Sequence, residues 1–351
     1  MIKVLIVEDS VVVQEFLRHI FASDPEIRVV GVANNGEEAL ELVSQTRPDV
    51  ITMDIYMPKM DGFETTRRIM ETTPTPIVIV SALSKVKDAA YTFKLLEAGA
   101  LTVVLRPPAF DSAGNKAAVA ELIQTVKLMS EVKVVRRTVS SGAREGKPAP
   151  FKTPEAAGRI QLVAIGASAG GPMALQALLS GLPQALPVPI LIVQHIATGF
   201  LEGFVDWLSG AILLPVHIAR QGISPLPGNC YIAPDNFHMG IGPDLKILLA
   251  GDSAINGSRP SVAYLFHSVA AVFGPRAAGV LLTGMGKDGA LELKEMKDKG
   301  AVTFAQSETS SVVFGMPGEA VKLDAATHIL SPEEIADTLA ALLLYSDGRD
   351  L

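Results

Sequence analysis

Short apolar runs recur along the first third of the chain, at 4–7, 29–33, 50–53, 77–80 and 101–105. Longer stretches such as 11–21 and 37–45 lie between them, with apolar residues returning every three or four positions. Uncharged runs of four or five residues suit strands buried on both faces, and the three-to-four spacing suits amphipathic helices. Five strands alternating with helices predict an α/β domain built on a doubly wound parallel sheet. From 161 a second series begins. Strand-like runs at 161–165, 190–193, 229–233, 246–249, 278–282 and 302–305 alternate with helix-like stretches at 172–179, 199–208, 262–272 and 290–297. No short repeat relates the halves, so two separate doubly wound domains are expected, the second the larger.

The stretch between them changes character. Over 131–159 it carries Arg136, Arg137, Ser140, Ser141, Gly142, Arg144, Lys147, Pro148, Pro150 and Pro154, with few large apolar residues to bury, which is the composition of a linker. The expected organisation is a domain over 1–125, a linker over 126–158 and a second domain over 159–345. A length of 351 residues agrees with about two domains.

Charge and composition then narrow the class. A formal net charge of −7 argues against a nucleic-acid surface, which needs clustered Lys and Arg. Cys230 is the single cysteine, so neither an intrachain disulfide nor a cysteine metal cage is possible, and packing is its expected role. The apolar stretch near the start is too short for a secretory leader, and a cytoplasmic protein is expected. Residues 160–201 contain no Asp, Glu, Lys or Arg, but Gly166, Gly170, Gly171, Pro172, Pro183, Pro187 and Pro189 break them into pieces too short to span a bilayer. No membrane insertion is expected.

In a parallel sheet the carboxyl ends of the strands share one edge, where ligands bind. Glu8, Asp9, Asp54, Ser81 and Arg106 all follow apolar runs of the first domain and so converge there. Three carboxylates brought together repel one another, and a hard divalent cation relieves the repulsion; Mg²⁺, held by Glu8, Asp9 and Asp54, suits the site. Asp54 can then attack a phosphoryl donor and become an aspartyl phosphate. The segment Asp54-Ile55-Tyr56-Met57-Pro58-Lys59-Met60-Asp61-Gly62 and Ser81 resemble the phosphoacceptor loop and switch hydroxyl of response-regulator receiver domains, a resemblance covering residues 1 to about 125. It implies phosphorylation of Asp54 by a histidine kinase, with Ser81 and the cation at 106 contacting the phosphoryl group. Two positions depart from the family pattern: Arg106 stands where lysine is usual, and Val103 where an aromatic switch residue is usual.

The second domain carries Gly166-Ala167-Ser168-Ala169-Gly170-Gly171 between a strand-like and a helix-like stretch. That turn exposes a hydroxyl beside the free amides of a helix start, as a serine nucleophile requires. His195, just past another strand, is the best placed base, and Asp288, past a third, can fix its tautomer. The remaining histidines read as packing or surface residues, except that His238 is a candidate to line the substrate cleft. From about 159 to 345 the chain resembles the catalytic domain of chemotaxis protein-glutamate methylesterases. The resemblance rests on the serine turn, Gln194-His195, Tyr231-Ile232-Ala233-Pro234, Arg259-Pro260-Ser261-Val262 and Leu282-Thr283-Gly284-Met285-Gly286-Lys287-Asp288-Gly289. It implies Ser168 as nucleophile, His195 as base, Asp288 as orienting carboxylate, and backbone amides of Ala169 and Met285 as oxyanion donors. It also implies methyl-accepting chemoreceptor helices as substrate, a chemotaxis kinase as phosphoryl donor, glutamine deamidation as a second activity and no cofactor in this domain. The proline usual after the histidine is missing from Ile196-Ala197-Thr198-Gly199-Phe200.

Two other classes fit the chain less well. A two-component regulator acting by binding shares the receiver, but a DNA-binding effector would be a short basic helical module. A nucleotide-dependent oxidoreductase using the serine turn for pyrophosphate would need Gly-x-Gly-x-x-Gly there and an acid about 20 residues on, and the turn at 166–171 has neither.

Overall fold

The five apolar runs of the first half become parallel strands, β1 (Ile2–Val7), β2 (Ile27–Ala33), β3 (Val50–Met53), β4 (Ile77–Ser81) and β5 (Thr102–Leu105), in the order β2-β1-β3-β4-β5. The computed structural model describes residues 1–81, 86–108, 114–132, 134 and 160–344. Contacts divide the chain into two compact units, residues 1–145 and 146–351.

Helices α1 (Val11–Ala22), α2 (Gly36–Thr46), α3 (Gly62–Thr72), α4 (Val86–Ala98) and α5 (Asn115–Ser130) connect and follow the strands. α1 packs on α5, while α2, α3 and α4 pack in succession, giving the two helical layers of a doubly wound sheet. Polar side chains set two helix starts. Asn35 accepts from the Glu37 and Glu38 amides to cap α2, and Asp61 accepts from the Glu64 amide to cap α3. α5 runs past the boundary expected at 125. Val126 and Met129 are buried, so their turns belong to the core and the linker starts no earlier than 131. Most of the expected linker, residues 135–158, lies outside the described residues, as does Tyr345.

The second unit holds a seven-stranded parallel sheet in the order β14-β13-β12-β6-β7-β9-β8. Its elements, in chain order, are β6 (Leu162–Ala167), α6 (Gly171–Ser180), β7 (Ile190–Gln194), α7 (Leu201–Ala211), β8 (Val216–Ile218), β9 (Cys230–Ile232), β10 (His238–Ile241) and β11 (Ile247–Ala250). There follow α8 (Val262–Phe273), β12 (Ala277–Leu281), α9 (Ala290–Asp298), β13 (Val302–Gln306), α10 (Met316–Lys322), β14 (His328–Leu330) and α11 (Pro332–Leu344). α8, α9 and α10 pack in one layer, and α7, α6 and α11 in the other. The central strand β6 is wholly buried, which explains its lack of charge.

Three details differ from the pattern read along the chain. The run at 246–249 is not a strand of the main sheet: it forms β11, paired antiparallel with β10 in a separate hairpin. Edge strands β8 and β14 escape an apolar-run reading because their residues are partly exposed. Ser81 is the last residue of β4 rather than the one after it. Among the described residues no helix is long and apolar enough to cross a membrane. Cys230 is buried in β9, and burial pushes its thiol up to about 12, the setting of a packed residue.

Candidate active site

At the carboxyl edge of the first sheet the chain leaves β1 through Glu8 and Asp9 and leaves β3 through Asp54, whose amide donates to the Val7 carbonyl at 2.9 Å. One carboxylate oxygen from each of Glu8, Asp9 and Asp54 lies within 4.8 Å of the others. Glu8 and Asp54 carry the mark of burial first and of this crowding second. Burial, with the Asp54 charge beside it, pushes Glu8 up to about 7, although the Ser10 amide and Arg106 pull the other way. Asp54 is raised as well, chiefly by burial and further by Asp9, against the pull of the Ile55 amide and Arg106. An oxygen donor set that resists holding its own charges fits a hard cation. Ser81 is buried, and the Arg106 amide donates to its carbonyl at 2.9 Å, so the hydroxyl-bearing and cation-bearing strand ends are tied together.

Val103 pairs with Ile79 inside the sheet and supplies no ring. The aromatic group of this unit comes from elsewhere: Tyr56 stacks on Tyr91 with centroids 6.0 Å apart, Phe63 lies 6.3 Å from Tyr91, and the Tyr91 hydroxyl donates to Asp61 Oδ2 at 2.9 Å. The sequence pattern did not single out Tyr56 or Tyr91; the position of Tyr56 two residues past Asp54 was the available signal.

In the second unit β6 ends at Ala167, and Ser168 opens the turn into α6. The Ser168 amide donates to the Thr283 carbonyl at 3.0 Å, and its own carbonyl accepts from the Gly171 amide at 2.8 Å. Gln194, the last residue of β7, reaches across with its Nε2 to the carbonyls of both Ser168, at 2.9 Å, and His195, at 2.7 Å. One amide thus fixes two strand ends. It fits only because residue 171 is glycine, where a Cβ would lie 2.1 Å from Gln194 Oε1. Thr283 donates its hydroxyl to the Ala169 carbonyl at 3.0 Å and fastens the other side of the turn.

His195 Nε2 meets Asp288 Oδ2 at 3.0 Å, which leaves Nδ1 without a hydrogen bond among the described residues. The carboxylate is held on every side. Oδ2 also accepts from the Val262 amide at 2.7 Å, while Oδ1 accepts from the Ser261 hydroxyl at 2.8 Å, Asn256 Nδ2 at 3.1 Å and the Ala263 amide at 3.2 Å. The Asp288 carboxylate therefore sits on the amino end of α8, where free amides and the helix dipole favour a negative charge. Burial pushes its pKa up, but hydrogen bonds and charge from His195, Asn256 and Ser261 outweigh burial and hold it below the ordinary carboxylate value. Asp288 is ionised at neutral pH. Gly289 makes the close approach possible: its φ is +81°, and a Cβ there would lie 2.4 Å from Val262.

A cleft of about 480 Å³ opens at this edge, lined by His195, Asn256, Met285, Lys287, Asp288 and Glu319 among others. The hydroxyl of Ser168 and the amides of Ala169 and Met285 make no hydrogen bond among the described residues. The structure thus joins His195 to Asp288 directly and links Ser168 to His195 through Gln194. His238 is not a cleft residue. It is wholly buried in the hairpin, so the expectation that it lines the cleft is withdrawn. In the segment after His195, where the usual proline is missing, the Gly199 amide donates to Asp235 Oδ2 at 2.8 Å.

Gln194, Asn256, Ser261 and Thr283 have no role that the sequence alone assigns, although three of the four stand in the family motifs. Such an arrangement can carry nucleophilic acyl transfer: a hydroxyl, a carboxylate-fixed imidazole and amides without partners at one edge.

Known proteins share this architecture. The CheB methylesterase family profile matches residues 163–339, and that of response regulator receiver domains matches 4–114. A protein-glutamate methylesterase/protein-glutamine glutaminase of Nitrosospira multiformis is 53% identical over 347 residues, 98% of this chain and 97% of its own. Another, from Syntrophus aciditrophicus, is 54% identical over 345 residues, 97% of this chain and 98% of its own. The crystal structure of the Thermotoga maritima CheB methylesterase catalytic domain is 33% identical with a TM-score of 0.51, covering 52% of this chain and 98% of that one.

Proposed function

The chain belongs to the protein-glutamate methylesterase family that carries an N-terminal receiver domain, and on that premise we propose a phosphorylation-activated esterase acting on chemoreceptors. It hydrolyses glutamate γ-methyl esters on their cytoplasmic helices, releasing methanol, and deamidates glutamine at the same site. The observation that carries this reading is the His195–Asp288 pair, at an edge shared with the unbonded hydroxyl of Ser168.

The chemistry follows from which atoms are already engaged. Asp288 accepts the Nε2 proton of His195, so Nδ1 keeps its lone pair and is the base. Ser168 Oγ attacks the γ-carbonyl carbon as Nδ1 takes its proton, and the oxygen that becomes negative accepts from the Ala169 and Met285 amides. Collapse breaks the bond to the methoxy oxygen, which leaves as methanol with the proton from His195. Water then attacks the acyl-serine with His195 again as base, regenerating Ser168 and releasing the glutamate carboxyl group. A glutamine side chain follows the same course with ammonia as leaving group.

In the receiver, Asp54 Oδ accepts the phosphoryl group from a chemotaxis kinase, and Ser81 and Arg106 contact its oxygens. Glu8, Asp9 and Asp54 would hold Mg²⁺, which when bound offsets their mutual repulsion and offers a position for phosphoryl oxygens. The unmodified receiver holds the esterase down, and phosphorylation shifts the population toward the active form.

The test is methanol release from methylated receptor in membranes, with and without acetyl phosphate and Mg²⁺. A rise is expected in the intact protein and none in Asp54→Asn, whose basal rate stays that of the unstimulated enzyme. Equal stimulation of both would remove Asp54 from the pathway. Arg106 gives a smaller effect. Arg106→Lys keeps a cation and should preserve the response, whereas Arg106→Ala should weaken it by about three- to tenfold in the donor concentration needed, the loss of one charge-assisted contact. Identical phosphate lifetimes in wild type and Arg106→Ala would place the side chain outside the phosphoryl site.

A further inference from the structure

His238 has no place in the reaction just described, yet its ring is fully used. Nδ1 lies 3.2 Å from the Ser261 amide and Nε2 lies 3.1 Å from the Ser253 carbonyl. An amide can only donate and a carbonyl can only accept, so Nδ1 is bare, Nε2 carries the proton, and the ring is neutral in a single tautomer. The imidazole is 0% exposed and stacks on Tyr264, in the first turn of α8, at 5.2 Å and 19°. The hairpin that carries it is clamped to the same helix by the Ile241 amide, which donates to Ser268 Oγ at 3.1 Å.

Ser261 is the link. Its amide is spoken for by His238, its hydroxyl by Asp288 Oδ1, and the next two amides along the chain by Asp288 as well. We propose that His238 is a positioning residue for the esterase: by fixing the Ser261 amide it sets the amino end of α8 against Asp288, and through Asp288 it sets the imidazole of His195. Without an acceptor at Nδ1 the Ser261 amide is a buried, unsatisfied donor, and the strand-to-helix turn rotates to relieve it. That rotation draws Ser261 Oγ and the Val262 amide off the carboxylate. Val262 and His195 share Oδ2, so the imidazole shifts with it. The hairpin β10–β11, absent from the main sheet, acquires a reason to be there.

The proposal rests on the Ser168, His195 and Asp288 reading, and the experiment separates the two. In the full-length chain, kcat and KM for methanol release are measured for His238→Gln, His238→Asn and Ser261→Ala, each alone and on an Asp288→Asn background, with thermal melts alongside. Asn places an acceptor near the Nδ1 position, whereas Gln reaches the Nε2 position and leaves the Ser261 amide bare. His238→Gln and Ser261→Ala are each expected to lower kcat by about tenfold with KM within about twofold, and His238→Asn to stay within about threefold of wild type. On the Asp288→Asn background these losses should disappear, because residues acting through one group are not additive. Equal losses for Asn and Gln, or a tenfold loss that persists without the Asp288 carboxylate, would overturn the proposal. Should His238→Gln fail to fold, His238→Ala, which also leaves the Ser261 amide without an acceptor, takes its place on both backgrounds, with His238→Asn as the rescue and the same criterion. Activity surviving in Ser168→Ala would instead sink the underlying reading, whatever His238 does.

Discussion

Ser168→Ala is expected to release methanol at a rate lower by on the order of 10³-fold or more, and His195→Ala to match it, because nucleophile and base act as one unit. The double variant should be no worse than either single one. Thermal unfolding of Ser168→Ala should match wild type, since the hydroxyl it removes makes no hydrogen bond among the described residues. Loss of activity without loss of stability is the signature of a group present for chemistry alone. Initial rates on methylated receptor, with a melt of the same preparations, check both halves; substantial turnover by Ser168→Ala would sink the nucleophile assignment.

Asp288→Asn is expected to be nearly as inactive, and less stable as well. The carboxylate faces five donors, two at Oδ2 and three at Oδ1. An Asn amide must turn its NH₂ toward one of those sets, placing donor against donor whichever way it lies. kcat should fall by on the order of 10³-fold through misplacement of the His195 proton, and unfolding should become easier by about 1–3 kcal/mol for the buried groups left unpaired. Acid should produce the same loss. The folded pKa of Asp288 lies below the ordinary value, so its stabilising contribution is complete above the unfolded pKa of about 4 and disappears as pH falls through the folded value. The stability curves of wild type and of the Asp288→Asn variant should therefore converge in strong acid and differ most at neutral pH. Curves parallel across that range would mean that the carboxylate is not the held, ionised group described.

The strands buried along their whole length, β3, β4, β6, β7, β9, β12 and β13, could be read along the chain apart from their exact ends, because strands covered on both faces by helices exclude charge. The position of Ser168 on a turn was legible for a related reason, since the small residues of 166–171 mark where a buried strand gives way to a helix. Apart from His195, the partners of Asp288 were not legible. Two of the five are backbone amides, identical in every sequence, and Asn256 and Ser261 come from a stretch without periodicity between β11 and α8. Strand β11 was misplaced because Ile247, Leu248 and Leu249 look alike in a central parallel strand and in a two-stranded ribbon. His238 was misjudged for a third reason. A histidine just past a strand-end motif is as readily turned inward as outward, and only the approach of α8 decides.

The cradle around Asp288 also has an evolutionary reading. Ser168 can be replaced without disturbing a neighbour, whereas Asp288 anchors the start of α8 and answers to five donors at once. In a lineage released from selection for esterase activity, drift would remove Ser168 early and keep Asp288 long after, leaving a domain that folds as before and hydrolyses nothing. An aspartate at this position is therefore a record of the fold as much as of the reaction, whereas the serine leaves a mark on the reaction alone.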